Sequence, residues 1–530
     1  MVDMMINFVV LDRNAHLPIP SISTVYLKVD FWNDYSFVTM FYMTVFDQSG
    51  TLHDIGNVKI AFRGQTTSTS TYSTFGGSFS HLTDKYFSVG ENIEYYKNLS
   101  KLDDEVKKHI LNSLQDIVYL PNRLHDIEDE EVLNISLFRG VTLSEVHGQF
   151  ARVLEGFAEL SDFNFNFIRS GLDHLCDLRI PFQVMVNSMP STNIHAFIGR
   201  NGCGKTTILN GMIDAITMPD NENFFFTESK YVNESRIPTG YFRSLVSVSF
   251  SAFDPFSPPQ EQPDPAKGTQ YFYIGLRDKH NNQVLSSLDD LRLEFVSALI
   301  GCLRTERKKD LWLKAIEKLS SDQNFSNMGL SILNTRYIAL RDRAANTQVD
   351  SNEFRDLLYQ DIYKYLSRMS SGHAIVLFTV TRLVDTVGEK SLVLLDEPEG
   401  HLHPPLLAAF LRTLSDLLYA KNGVAIIATH SPVVLQEVPK SCVWKVIRSR
   451  DAISVQRPDI ETFGENLGVL TREVFSLEIE SSGYHSLLAT SVESGLSYEE
   501  ILTQYGSQIG LEGRTVLKAM VLSRDSGQTQ

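Results

Sequence analysis

The chain has 530 residues, a formal net charge of −16 and four cysteines. That length suits a globular protein of several parts, the acidic balance argues against a broad nucleic-acid surface, and no apolar run approaches the roughly 18 residues of a membrane span. Cys176, Cys203, Cys302 and Cys442 lack metal-like spacing, and Met1-Val2-Asp3-Met4 has no basic n-region, so the expected setting is reducing and cytoplasmic.

In chain order, residues 25–62 read as antiparallel strands, with aromatic and polar residues alternating around Trp32 and Phe41. Residues 65–78 are rich in Ser, Thr and Gly and read as a loop. An α-rich stretch then runs to about Cys176; its acidic run Asp126, Glu128, Asp129, Glu130, Glu131 reads as solvated loop. A strand is predicted at residues 180–184.

The next feature is the most specific in the chain. Gly199-Arg200-Asn201-Gly202-Cys203-Gly204-Lys205-Thr206 fits the phosphate-binding pattern G-x-x-x-x-G-K-[ST] between a buried strand, Ile194–Ile198, and a helix opened by Thr207. Backbone N–H groups over Gly199, Asn201, Gly202 and Gly204 and the helix start at Thr206 and Thr207 can cradle a phosphate. Lys205 would bridge the β- and γ-phosphates, and the Thr206 hydroxyl would hold Mg²⁺. A helix N-terminus would lower the pKa of the Cys203 thiol, although a small residue that simply fits is the simpler reading.

A helix is predicted from a Ser287-x-x-Asp290 capping box, with Arg304, Arg307, Lys308 and Lys309 clustered at its end. Those cations suit either the helix dipole or a local nucleic-acid or partner contact. Further helices follow to Tyr365, without a heptad sustained long enough for a coiled coil. Ser370 and Gly372 open another helix, where a hydroxyl and free N–H groups can take an anion. The apolar run Ser391–Leu395 ends in Asp396-Glu397, paired carboxylates where open α/β sheets bind ligands. Asp396 would contact Mg²⁺, and Glu397 would polarise an attacking water. A last buried strand, Val424–Thr429, delivers His430 towards the γ-phosphate. Residues beyond about 461 read as helical, and no repeat of 20–50 residues is visible.

With these four elements in this order, the chain resembles the ABC-type ATPases in their SMC/Rad50/RecF-like branch. Asp396–Pro404, Ala428–Pro432, Val248–Phe256 and Glu461–Asn466 are similar to the PtuA-like ATPase subunits of Septu-type and retron-associated antiphage systems. The resemblance implies an α/β P-loop head, a mixed sheet flanked by helices with an antiparallel β subdomain and inserted helical lobes. Its parts would be 1–66, the antiparallel part of the head; 67–176, an α-rich insertion; 177–280, the phosphate-loop core; 281–365, a helical lobe; 366–455, the core carrying signature, acids and His430; and 456–530, a helical end. The usual signature has two glycines after its serine and then glutamine or glutamate, whereas here Ser371 and His373 stand in their places. A glutamine loop is not evident after Phe250, and Asp254 is the nearest polar residue, more simply read as a turn.

The resemblance further implies ATP and Mg²⁺ as ligands, ATP hydrolysis with Glu397 and His430 as catalytic residues, and at least a homodimer in which Ser370 and Gly372 act in trans. It implies a separate HNH nuclease as partner and no nuclease within this chain. A retron reverse transcriptase with its RNA–DNA hybrid would be a further partner if the gene lies in such a locus. The alternatives are a RecF- or Rad50-like repair ATPase that binds DNA directly and a transporter's nucleotide-binding subunit. Length, Glu397-Pro398-Glu399 and the missing glutamine loop argue against the last.

Overall fold

The computed structural model describes residues 6–18, 21–156, 159–171, 176–230, 233–251, 257–278, 284–344, 347–449, 452–479 and 483–527. Asp254 lies outside them. The chain divides into two compact units, Met1–Ser161 and Asp162–Gln530. No helix among the described residues is long and apolar enough to cross a membrane.

The first unit is built on a six-stranded sheet, in spatial order Ser78–Phe79, Asn7–Leu11, Thr24–Val29, Met40–Phe46, Leu52–Phe62 and Tyr86–Gly90. Its strands pair antiparallel except Asn7–Leu11 with Thr24–Val29, which run parallel. Phe8, Leu27, Met43, Val58 and Ile60 share one core with Tyr96, Leu99, Ile110 and Leu111 of the helices that follow. The strands of residues 1–66 and the helices after them therefore form one body, where the sequence suggested a head segment and an insertion. Alternation of apolar and polar residues marks any half-buried sheet, and it says nothing of which neighbour the sheet packs on.

In the second unit the phosphate-loop helix, Lys205–Thr217, lies between two sheets. One is a four-stranded antiparallel sheet in the order Asn233–Arg236, Phe224–Lys230, Phe163–Arg169, Leu178–Val184. It fills the place beside the phosphate-loop helix that the sequence reading gave to residues 25–62. Gly211 allows the close approach, since a Cβ there would meet the Phe224 ring at 2.7 Å. The other sheet has seven strands in the order Gln270–Gly275, Ser244–Ser249, Ser391–Asp396, Val424–Thr429, Ile194–Ile198, Val443–Ser449, Ala452–Gln456. The first six are parallel and the last returns as a hairpin. Ile194–Ile198 and Val424–Thr429 are buried throughout, which is why they read as unbroken apolar runs.

The opposite face of that sheet packs on Ser371–Thr386, Pro404–Ala420 and the helical lobe Leu288–Leu303, Glu306–Leu319, Gln323–Asn327, Ile332–Arg343 and Asn352–Leu366. The Ser287–Asp290 capping box forms as the sequence indicates. The basic cluster is placed differently: Thr305 caps a new helix, so Arg307, Lys308 and Lys309 open that helix rather than closing the previous one. Arg304 pairs with Asp350 at 2.8 Å, Lys308 with Asp385 at 2.9 Å, and Lys309 with Glu306. Acidic partners thus take up much of the charge that had suggested a nucleic-acid contact. Beyond the sheet, Leu488, Val492, Ile501, Leu517 and Val521 give the last three helices a small core of their own.

Candidate nucleotide site

Parallel register collects the candidate residues at the C-terminal ends of three central strands. Asp396 pairs with Ser249 on one side and Ala428 on the other, and Thr429 pairs with Ile198. The ends of the acid strand, the histidine strand and the phosphate-loop strand are therefore level, with the histidine strand between the other two.

The loop after Ile198 depends on its glycines. Gly202 and Gly204 have φ of +75° and +101°, a left-handed backbone that side chains resist. A Cβ on Gly199 would come within 2.4 Å of the Val446 carbonyl, and one on Gly204 within 2.7 Å of Ile453. Both obstructions come from the hairpin Val443–Gln456, whose Arg448 also donates to the Gly202 carbonyl at 3.3 Å. In the sequence this hairpin leaves only a weak trace, the apolar residues Val443, Trp444, Val446 and Ile447 interrupted by Lys445.

Lys205 is buried, and its Nζ donates to the carbonyls of Gly199 at 2.9 Å and Arg200 at 3.0 Å. Thr206 Oγ1 donates to Asp396 at 2.9 Å. Hydroxyl and carboxylate, 190 residues apart in sequence, thus converge as a hard-cation pair of oxygen donors. Asn201 and Thr207 are exposed at the mouth. Burial pushes the Cys203 thiol pKa up, which reverses the lowering expected from the helix start.

Glu397 follows Asp396 in a left-handed conformation, φ +46°, an arrangement that costs free energy in a residue with a side chain and is common at functional sites. Its carboxylate is 3.7 Å from His430 Nδ1. Glu399, which sequence reasoning treated only as part of a motif, organises this corner. Its side chain is buried, and Oε1 accepts from Thr429 Oγ1 at 2.6 Å and the His430 N–H at 2.7 Å, with His430 Nδ1 at 3.2 Å. That contact favours the ring proton on Nδ1, with Nε2 as the other ring nitrogen.

Ser370 caps the sixteen-residue helix Ser371–Thr386, and its Oγ lies 2.5 Å from His373 Nδ1. Gly372 is required here because a Cβ would come within 2.3 Å of the His401 carbonyl in the turn Pro398–His401. The signature helix therefore abuts the turn that follows the paired acids.

Fold and site together give an α/β P-loop fold that resembles ABC ATPase and SMC head domains. Residues 364–436, which span the signature, the acids and His430, match the family model described as "AAA domain, putative AbiEii toxin, Type IV TA system". The chain belongs to the family of protein ea59 of Escherichia phage lambda, to which it is 68% identical over 526 residues, 99% of this chain and 100% of that protein. Among solved structures it is similar to a nucleotide-free ATP-binding cassette from an ABC transporter, at 14% identity over 61% of this chain and 100% of that one, TM-score 0.29. It is also similar to the SMC head domain from Thermotoga maritima, at 10% identity over 56% and 99% of the two chains, TM-score 0.28.

Proposed function

We propose that this chain hydrolyses ATP with Mg²⁺ and that two copies close on two nucleotides to control a separate effector. The observation that carries the ATPase reading is the contact of Thr206 with Asp396 beside Lys205 and Glu397, which assembles groups for phosphate, cation and water at the C-terminal ends of the central strands.

Lys205 would exchange two loop carbonyls for β- and γ-phosphate oxygens, and the loop N–H groups would donate to the remaining phosphate oxygens. Thr206 and Asp396 would hold Mg²⁺, which when bound neutralises charge developing on the phosphates. Glu397 would take a proton as the water oxygen bonds to the γ-phosphorus and the bridging oxygen leaves with ADP. His430, held by Glu399, would steady the γ-phosphate through Nε2.

Each chain has one phosphate loop and one signature helix, so a sandwiched site needs a second copy and pairing would be symmetric. Ser370 and the Gly372 N–H would then meet the partner's γ-phosphate, and closure would follow ATP rather than ADP because only ATP offers that contact. The effector we favour is a separate HNH nuclease in an antiphage system, on the motif resemblance to Septu-type and retron-associated ATPases. A phage relative makes a resident phage excluding competitors a coherent setting.

The test is ATP turnover and solution mass, with ATP and with ADP, for the wild-type chain, Lys205→Ala and Ser370→Arg, each also co-expressed with its neighbouring reading frames. Expected are an ATP-dependent dimer, loss of nucleotide binding in Lys205→Ala, and retained binding without pairing in Ser370→Arg. Equal loss of binding in both variants would remove the trans arrangement, and a dimer that captures DNA with no co-purifying nuclease would move the chain to the repair reading.

A further inference from the structure

We infer that Asp322, His373 and His403 form a binding site for a divalent transition-metal ion of the Zn²⁺ class, set against the signature serine. Among the described residues this is the one trio of His, Cys, Asp or Glu whose donor atoms converge, all within 4.8 Å of one another. His373 Nε2 is 3.4 Å from Asp322 Oδ1, and His403 Nε2 is 3.4 Å from Asp322 Oδ2. The carboxylate thus faces both rings, one oxygen to each, and two donors bound tetrahedrally to one zinc ion lie about 3.3 Å apart, so a small contraction of the trio would bring one oxygen and both Nε2 atoms onto a shared ion.

The donor set fits such an ion. Two imidazoles and a carboxylate are the ligands of a three-residue zinc site with a fourth position for water, and imidazole disfavours Mg²⁺ or Ca²⁺. Asp322 and His373 are buried, whereas the His403 side chain is 43% exposed and supplies the way in. The three come from three elements. Asp322 caps the short helix Gln323–Asn327 of the helical lobe, His373 lies in the first turn of the signature helix, and His403 caps Pro404–Ala420 after the paired acids.

Surrounding contacts orient the ligands. Asp322 Oδ1 accepts from the Phe325 N–H at 2.9 Å. With Nε2 on the metal, the His373 proton lies on Nδ1 and donates to Ser370 Oγ, the kind of partner that metal-bound histidines regularly have. His403 would give up its long 3.4 Å contact from the Leu406 N–H, because its ring proton would also move to Nδ1.

The tautomer has a consequence at Ser370. If Nδ1 of His373 accepts, the only hydroxyl proton of Ser370 is spent on it; if Nδ1 donates, that proton is free to point outward. The metal would thus set Ser370 to donate to a phosphate. This consequence rests on the trans role of Ser370 proposed above, whereas the metal site rests on the trio alone.

The experiment is a Zn²⁺ titration by calorimetry of the full chain, stripped with EDTA, without nucleotide and in excess Mg²⁺ to occupy the acids at the phosphate loop. Expected is one Zn²⁺ per chain, weakened at least about 10-fold in His403→Gln and in Asp322→Asn and unchanged in His401→Gln. His403→Gln alters a part-exposed side chain, so its folding, checked by circular dichroism, keeps the comparison valid if Asp322→Asn misfolds. No saturable binding in the wild type, or binding equal in wild type and His403→Gln, would overturn the site. Because nucleotide is absent, either result is independent of whether the chain pairs on ATP.

Discussion

Both units bury charge, but they treat it in opposite ways. In the first, Lys59 and Asp34 are almost wholly buried and 3.1 Å apart; Lys59 also donates to the Ser136 carbonyl at 2.6 Å, and Asp34 accepts from Arg139 at 2.6 Å and Trp32 Nε1 at 3.0 Å. Asp116 is likewise enclosed by the N–H groups of Val118 and Tyr119 and the hydroxyl of Tyr96. In the second, Lys205 holds two loop carbonyls, Thr206 holds Asp396, and Glu397 stands part-exposed in a strained backbone. The first set is enclosed by contacts that serve the fold. The second makes contacts that a phosphate, a cation or a water can replace. Buried charge marks chemistry where its contacts are exchangeable, and architecture where they are not.

The sharpest way to break this contrast is Glu397→Gln, which keeps size and hydrogen bonding but cannot take a proton. Turnover measured by phosphate release should fall by about 10²–10⁴-fold with ATP affinity retained and the paired form accumulating. Turnover near wild type would mean Glu397 is not the base. Lys59→Met probes the other side: it leaves the buried Asp34 carboxylate with Arg139 as its cationic partner among the described residues, and should cost about 3–5 kcal/mol in denaturant unfolding. Nucleotide affinity of the folded variant should not change, and a parallel loss of ATP binding would show that the first unit is no mere scaffold.

A pH test follows from Asp116, whose pKa burial raises from 3.8 to about 7. The folded state therefore holds a proton that the unfolded chain releases above its ordinary carboxyl pKa. This contribution is fully present below about pH 4 and is lost as pH rises through 7, by roughly 4 kcal/mol at most. Asp116→Asn should flatten that part of the stability profile, as read by thermal unfolding between pH 5 and 8. An unchanged slope would mean the carboxylate is ionised in the fold.

What was legible in the sequence follows the same division. The phosphate loop, the Asp396-Glu397 pair and His430 could be read because each is a local pattern at the end of a buried strand. The Ser287 cap could be read for the same reason. Placement of the antiparallel sheet could not, since alternation at 25–62 and at residues 163–184 is the same signal and only tertiary packing decides which sheet covers the phosphate-loop helix. At Cys203 the sequence shows the helix start, which lowers a thiol pKa, but not the burial that outweighs it and pushes that pKa up. The histidine at 373 looked like a departure from a motif, and its significance needed Asp322, 51 residues away, to be brought beside it.

Glu399 is the residue where the two kinds of burial meet. It is as enclosed as a structural carboxylate, with a 7% exposed side chain, yet what it holds is His430, the histidine proposed to act on the γ-phosphate. Glu399→Gln keeps an oxygen for the Thr429 hydroxyl and the His430 N–H but removes the charge facing His430 Nδ1. A hydrogen bond to a charged group contributes about 1.5–3 kcal/mol, so if His430 acts in the transition state the loss in turnover should be about 10-fold or more. Nucleotide affinity should stay the same, because Lys205 and the loop do not touch Glu399. A drop confined to kcat would place Glu399 with the site as a positioning residue. An unchanged kcat with lowered stability would return it to the architecture, and with it the claim that His430 is held for catalysis.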